Sequence, residues 1–149
     1  MKLKSPVVIG ALVACGTLVA STAGAAAMHG TYHVDALGHN ITNKAGSSKM
    51  TDYVKGTITL NTDNNKVCSA LQEHGLGVVS SADINVGAVG TDGPSVAMLN
   101  IAQINNHKMH PACITVTHTL ADAILAHPNH YYVVVSTAKY PHGAVRGQL

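Results

Sequence analysis

The sequence of 149 residues contains no phenylalanine and no tryptophan, and five tyrosines are its only other large aromatic residues besides histidine. Sites for single-stranded nucleic acid need aromatic faces interleaved with cations, so this composition argues against nucleic-acid binding. Charged residues make up only 11% of the chain, which excludes a disordered polyelectrolyte. The core must therefore be built from aliphatic side chains, and the length fits one compact domain.

The sequence also lacks the motifs of common catalytic sites. It has no G-x-S-x-G nucleophile elbow and no glycine-rich phosphate loop followed by Lys-Ser or Lys-Thr. A C-x-x-C redox motif and a four-ligand zinc pattern are absent as well. We therefore expect a protein that is not an enzyme and that requires no cofactor.

The first 27 residues have the layout of a secretory signal peptide that is removed. The start is cationic, residues 6–27 contain no charge, and Ala25 and Ala27 satisfy the A-x-A rule before Met28. A retained membrane anchor is the alternative. Without the two lysines of the leader, the nine basic side chains fall to seven and equal the seven acidic ones. The mature chain then has no basic surface for phosphate backbones.

A second processing route competes with ordinary cleavage. Residues 12–15, Leu-Val-Ala-Cys, followed by Gly16, resemble a bacterial lipoprotein box, in which Cys15 would be acylated and become the first residue. Against this route, residues 17–27 stay apolar instead of forming a polar tether. Both routes predict an extracytoplasmic protein, secreted or at the cell surface or in the periplasm, that meets the membrane only through a lipid anchor.

Two cysteines remain when Cys15 is set aside. Cys68 and Cys113 form an even pair, which in an oxidising compartment predicts one disulfide. The alternative is two buried free thiols.

The rest of the chain alternates short apolar runs with turn signals. Residues 28–52 predict a first strand and a polar loop, and residues 131–135, apolar on both faces, predict a central strand. Residues 119–126 have helical spacing, with Thr119 as the N-cap residue and Pro128 as the stop. About eight strands with one short helix predict an all-β antiparallel sandwich. The predicted strands cover residues 32–37, 55–60, 66–74, 78–86, 95–101, 112–118, 131–135 and 143–149.

Three blocks in order resemble the chordin-type (CHRD) domain family, over a match from about residue 53 to residue 149. The last block pairs two tyrosines with an apolar strand and the ending Gly-Ala-Val-Arg-Gly-Gln-Leu. Residues 81–94 resemble the family's Ala-His-Ile-His block with its Gly-Pro-terminated loop, and Cys68 and Cys113 fall where many members carry a cysteine pair. The residues that carry the motif positions are Asp83, Asn85, Gly93, Pro94, Tyr131, Tyr132, Ser136, Gly143, Arg146, Gly147 and Gln148.

This resemblance implies an extracytoplasmic sandwich of immunoglobulin-like or superoxide-dismutase-like type, and it implies little about activity. Histidines that are common in the family correspond here to Asp83, Asn85 and Ser136. A copper or zinc site built from three such imidazoles is therefore not expected in this chain, and an enzyme resembling superoxide dismutase is disfavoured.

Ten histidines nevertheless stand out in so short a chain. Two H-x-x-H pairs lie in predicted loops, and a methionine stands beside the first pair. Cleavage after Ala26 would place a histidine third from a free amine, a nitrogen set that Cu(II) favours. The candidate ligands for copper or zinc are His29, His107, Met109, His110, His127 and His130. Solvated loop histidines are the alternative.

Arg146 is the only arginine in the chain. Because a guanidinium group is rigid and donates several hydrogen bonds, we expect it to brace backbone carbonyls or a carboxylate, with Asp83 as a candidate.

The sequence as a whole predicts three parts: residues 1–27 are a leader, residues 28–52 a strand and loop, and residues 53–149 a CHRD-like domain. The leading prediction is a non-catalytic binding module for an extracellular protein or a surface ligand. The alternative is a copper- or zinc-binding protein.

Overall fold

Eight antiparallel strands form the framework of the chain over the residues that the structure describes. The computed structural model describes residues 28–42, 49, 51–108 and 110–149. The strands are β1 (His29–Leu37), β2 (Tyr53–Asn61), β3 (Lys66–His74), β4 (Val79–Val86), β5 (Ser95–Met98), β6 (Ala112–Thr115), β7 (Tyr131–Thr137) and β8 (Val145–Gln148). The helices are α1 (Ala102–Asn105) and α2 (His118–Ala126), with 3-10 turns at Gly38–Asn40 and Pro128–His130.

The strand order divides the sheet into two halves. The order is β5-β4-β7-β8-β1-β2-β3-β6, and every pairing is antiparallel. The two central strands β8 and β1 pair only through Arg146 and Leu37. We call β4, β5, β7 and β8 the loop half, and β1, β2, β3 and β6 the hairpin half. The all-β prediction is confirmed.

Both halves contribute to one aliphatic core. Ile58 and Leu60 on β2 and Ile84 and Val133 on β4 and β7 have no exposed surface and belong to the same buried cluster. Buried and exposed side chains alternate along β2 and β3 because one face of the hairpin half meets this core while the other meets solvent. The predicted central strand, β7, lies between β4 and β8 and is mostly buried on both faces.

The hairpin half is regular. Strands β1, β2 and β3 are each nine residues long, and they pair residue for residue. The predicted turn between β2 and β3 forms as expected: Asn61 Oδ1 accepts a hydrogen bond from the Asp63 amide at 2.8 Å, and Asn65 adopts a positive φ of 53°.

Helical structure differs from the sequence prediction in two places. A second helix, α1, follows β5, so the prediction of one short helix and of a strand running to residue 101 is wrong. Four residues are too few to show a helical period. At the start of α1, Asn100 Oδ1 accepts a hydrogen bond from the Ala102 amide at 2.9 Å. The N-cap residue of α2 is Thr117 and not Thr119, because the Thr117 hydroxyl accepts from the Leu120 amide at 3.2 Å.

Two smaller observations complete the fold. Strand β1 begins at His29, three residues before the predicted start. None of the helices in the described residues combines the length and the apolar character needed to cross a membrane.

Candidate functional site

Six motif residues lie on one face of the loop half: Asp83, Asn85, Tyr132, Ser136, Arg146 and Gln148. Directly paired residues share a face, and Asn85 pairs with Tyr132, which in turn pairs with Gln148. The neighbouring row pairs Asp83 with Val134, which pairs with Arg146. This face is the outer one, since the alternate residues of β4 and β7 are buried in the core.

Arg146 holds the loop formed by residues 87–94 onto this face. Its side chain is only 3% exposed, and its two terminal nitrogens donate to the carbonyl oxygens of Thr91 and Ala88 at 2.8 Å each. The guanidinium also lies 3.3 Å from a carboxylate oxygen of Asp92 and stacks 3.5 Å above the Tyr132 ring. The expected brace therefore forms, with two carbonyls and one carboxylate.

The candidate carboxylate partner of Arg146 was wrong. Asp83 lies on the same face but instead accepts a hydrogen bond from the Ser95 hydroxyl at 3.2 Å, across the β4–β5 hairpin. Asp92 takes the place beside Arg146 because the loop folds back over β8, a non-local event.

Gly93 anchors the carboxyl end of the loop. The Tyr132 hydroxyl accepts from the Gly93 amide at 3.0 Å and lies 3.3 Å from its carbonyl oxygen, to which the Asn85 amide nitrogen also donates at 2.9 Å. A Cβ atom at position 93 would stand 1.8 Å from the carbonyl oxygen of Val86, so no larger residue fits there. Packing therefore requires glycine at position 93.

Gln148 joins the loop to the turn that precedes β7. Its side-chain nitrogen lies 2.7–3.0 Å from three backbone carbonyl oxygens, those of Gly87, Asn129 and Tyr131. The Gly87 amide in turn donates to the His130 carbonyl at 2.7 Å. Both ends of the loop are therefore fixed to β7 and β8.

The depressions on the described surface include two beside Arg146 and one between the edge strands. A cleft of about 260 Å³ is lined by His39, Asn40, Thr42, Val89, Gly90, Arg146 and Gln148. A smaller cavity of about 130 Å³ on the other side of the arginine is lined by Ile41, Asn85, Asp92, Gly93, Tyr132, Val134, His142 and Arg146. A groove of about 410 Å³ separates the two edge strands and is lined by residues 96–98, residues 114–117 and Leu120.

The remaining motif residues contribute to packing within and beside the strands. Ser136 is buried on β7 opposite Ser81. Gly143 and Gly147 allow close packing: a Cβ at position 147 would lie 3.0 Å from the backbone of Ala36. The three positions that correspond to family histidines therefore carry a carboxylate, an amide and a hydroxyl on one face of β4 and β7. The Asn85 side-chain oxygen is buried without a hydrogen-bond partner among the described residues.

The candidate metal ligands are dispersed. Among the described residues, no three or more His, Cys, Asp and Glu side chains are grouped so that they could hold a metal ion. His107 faces the buried Glu73 carboxylate at 3.5 Å, and His29 lies 3.9 Å from Asp63. His110 is exposed, and Met109 lies outside the described residues. The exception is the second pair: the rings of His127 and His130 stack with centroids 5.4 Å apart.

The predicted disulfide is present. Cys68 on β3 and Cys113 on β6 are directly paired, with an S–S distance of 2.02 Å. Because β6 is an edge strand of four residues, the bond fastens the end of the hairpin half. The predicted leader and the lipidation candidate, Cys15, lie outside the described residues.

Sequence reasoning missed Asp92 as the carboxylate partner of Arg146 and the cleft residues His39 and Asn40. It predicted that Arg146 braces backbone carbonyls but did not identify them as those of Ala88 and Thr91. The turn residues that end the loop, Asp-Gly-Pro, were a usable signal that the backbone there is fixed. Backbone carbonyls, in contrast, carry no signal in the sequence.

Comparison with known proteins gives one match. The family model of the CHRD domain matches residues 38–149, three quarters of the chain. No curated protein and no solved structure matches it.

Proposed function

The chain belongs to the CHRD domain family, and from this premise we propose that it works outside the cytoplasm as a non-catalytic interaction module. The disulfide between Cys68 and Cys113 supports the location, since such bonds persist in oxidising compartments. The leader-like composition of the first 27 residues supports it independently. The partner is an extracellular protein or a surface ligand.

The observation that carries this proposal is the use of buried and partly buried polar groups to fix an exposed loop. Arg146, Tyr132 and Gln148 direct their polar atoms at the backbone of residues 87–94, while Val89 at the tip of the loop is 79% exposed. Binding residues concentrate on loops that a rigid scaffold positions. Fixing the loop in advance lowers the entropy lost on binding. The loop therefore has the properties of a recognition element.

Site-specific photo-crosslinking in the native host tests the proposal. A photoreactive residue at position 89 should give specific adducts with an extracytoplasmic partner. The same residue at position 78 is the matched control, because Val78 is 80% exposed on a different loop. Adducts at position 78 but not at position 89, or a protein confined to the cytoplasm, would contradict the proposal.

A second candidate function, binding of copper or zinc, is favoured by the stacked rings of His127 and His130. Imidazoles suit both metals, and the 3-10 turn brings this pair together. Isothermal titration should show a Kd below about 10 μM, equivalent to roughly −7 kcal/mol, for Cu(II) or Zn(II). Binding should be lost in H127A/H130A and kept in the control H33A/H118A. Unchanged binding in the first variant would reject the pair as the site.

A further inference from the structure

The cleft beside Arg146 lies between two walls that are fixed to the same strand. One wall is the segment of residues 39–42, and the other is the tip of the loop, Val89 and Gly90. Arg146 and Gln148 of β8 form the floor. The volume of about 260 Å³ lies below the range of pockets that hold drug-sized ligands, so the cleft fits one ring-sized group.

Both walls are held in place by hydrogen bonds to the floor or to each other. The Asn40 side-chain nitrogen donates to the Arg146 carbonyl oxygen at 3.1 Å, and the Thr42 hydroxyl donates to the Asp92 carboxylate in the loop. The Arg146 guanidinium holds the loop from below through the Ala88 and Thr91 carbonyls. The cleft is therefore formed before any ligand arrives, which reduces the cost of binding.

The charge balance favours a neutral ligand. Arg146 is the one permanently charged side chain in the lining, and its guanidinium already faces the Asp92 carboxylate and two carbonyl oxygens. An anion would have to compete with these contacts, and a cation would lie against the guanidinium.

The amide groups of the lining favour a ligand that donates several hydrogen bonds. The hydrogen bonds described for Asn40 and Gln148 are made by their side-chain nitrogens. No hydrogen bond to either side-chain oxygen is found among the described residues, and each oxygen can accept one from a ligand hydroxyl. Val89, 79% exposed, and the exposed His39 supply a surface for the C–H groups of a ring. Many hydroxyl donors, no charge and a ring face together describe a sugar.

We propose that this cleft binds a neutral pyranose unit of a surface glycan. The proposal rests on the proposed interaction function and names its ligand class. The recognised features are the ring face, at Val89 and His39, and the hydroxyl groups, at the amide oxygens of Asn40 and Gln148.

Titration of the uniformly ¹⁵N-labelled mature protein, followed by NMR, tests the proposal. The probes are methyl glucoside, methyl galactoside and methyl N-acetylglucosaminide, with methyl glucuronide as the anionic arm. A neutral glycoside should bind with a millimolar Kd and shift the amide resonances of Asn40, Val89 and Gly90. V89D should weaken that binding about tenfold, because a charged side chain replaces the apolar surface that contacts the C–H groups of the ring.

V78D is the matched control and should bind the glycoside as the wild type does, because Val78 is equally exposed but does not line the cleft. H39A provides a second variant on the opposite wall and should also weaken binding. Shifts that map elsewhere, equal effects of V89D and V78D, tighter binding of the glucuronide, or no binding of any probe would each overturn the proposal. Crosslinking of a protein at position 89 without glycoside binding would reject the sugar and leave the interaction function standing.

Discussion

The two halves of the sheet secure their outer faces by different means. Three of the four strands of the hairpin half are nine residues long and pair in continuous register. Its outer contacts include exposed pairs such as Lys55 with Asp35 at 3.7 Å. Among the described residues, this half also has a covalent cross-link, the disulfide between Cys68 and Cys113. The loop half has short strands at both ends, and a buried arginine covers its outer face with a folded loop.

This difference separates stability from recognition. An exposed ion pair contributes about 0–1 kcal/mol, so the outer face of the hairpin half adds little beyond strand pairing. Removing a buried guanidinium with three oxygen partners should lower the free energy of unfolding more, because those oxygens lose a hydrogen-bond donor. Arg146 thus provides a buried charged contact under the loop that we propose as the recognition element.

The largest expected effect concerns the disulfide of the hairpin half. Replacing both cysteines, C68A/C113A, should lower the free energy of unfolding by about 4 kcal/mol, since the bond closes a sequence separation of 45 residues. Urea denaturation measures the change, and reduced wild-type protein is the control, expected to match the variant. A loss below about 1 kcal/mol would show that strand pairing alone holds β6.

The next effect concerns the loop half. R146M keeps much of the side-chain volume but removes every donor, so the Thr91 carbonyl loses its described partner and the Ala88 carbonyl keeps only the amide and hydroxyl of Thr91. We expect a loss of about 3 kcal/mol in urea denaturation. K55M, which removes an exposed cation from the hairpin half, is the matched control and should change stability by less than about 1 kcal/mol. Equal effects of the two variants would remove the contrast between the halves.

The hairpin half was largely predictable from the sequence and the loop half only in part. Alternation in β2 and the Asn-rich turn after it are local signals, and the structure agrees with both. The brace formed by Arg146 could be anticipated from guanidinium chemistry, but its carboxylate could not. Asp83 and Asp92 stand in the same motif block, and only the path of the loop selects between them.

Helix boundaries failed for a similar reason. Thr117 and Thr119 are both acceptable cap residues, and the backbone conformation at position 117, which is extended, decides between them. The cleft of residues 39–42 and Val89 is formed by segments distant in sequence, which no local pattern brings together. The parts of the candidate site that depend on backbone acceptors and long-range contacts therefore required the structure.

A smaller effect concerns α2, which leads from the hairpin half to the loop half. T117A should lower the free energy of unfolding by about 1 kcal/mol, because the Leu120 amide loses its acceptor. T119A serves as the matched control within the same helix, and we expect a change within about 0.5 kcal/mol. Thermal or urea denaturation of the two variants gives the comparison. A larger loss in T119A would place the helix start two residues later.

The smallest expected effect is a coupling energy, and it tests directly whether the halves are independent. Tyr132 and Arg146 stack on each other and hold adjacent residues of one loop. A double-mutant cycle of Y132F with R146M should therefore depart from additivity by at least about 0.5 kcal/mol. The same Y132F change combined with C68A/C113A should be additive within about 0.5 kcal/mol, since the disulfide lies in the other half and shares no described contact with Tyr132. Urea denaturation of the single and combined variants supplies both cycles. Strong coupling in the second cycle would mean that the two halves are energetically coupled across the single residue pair between β8 and β1, and that they act as one unit.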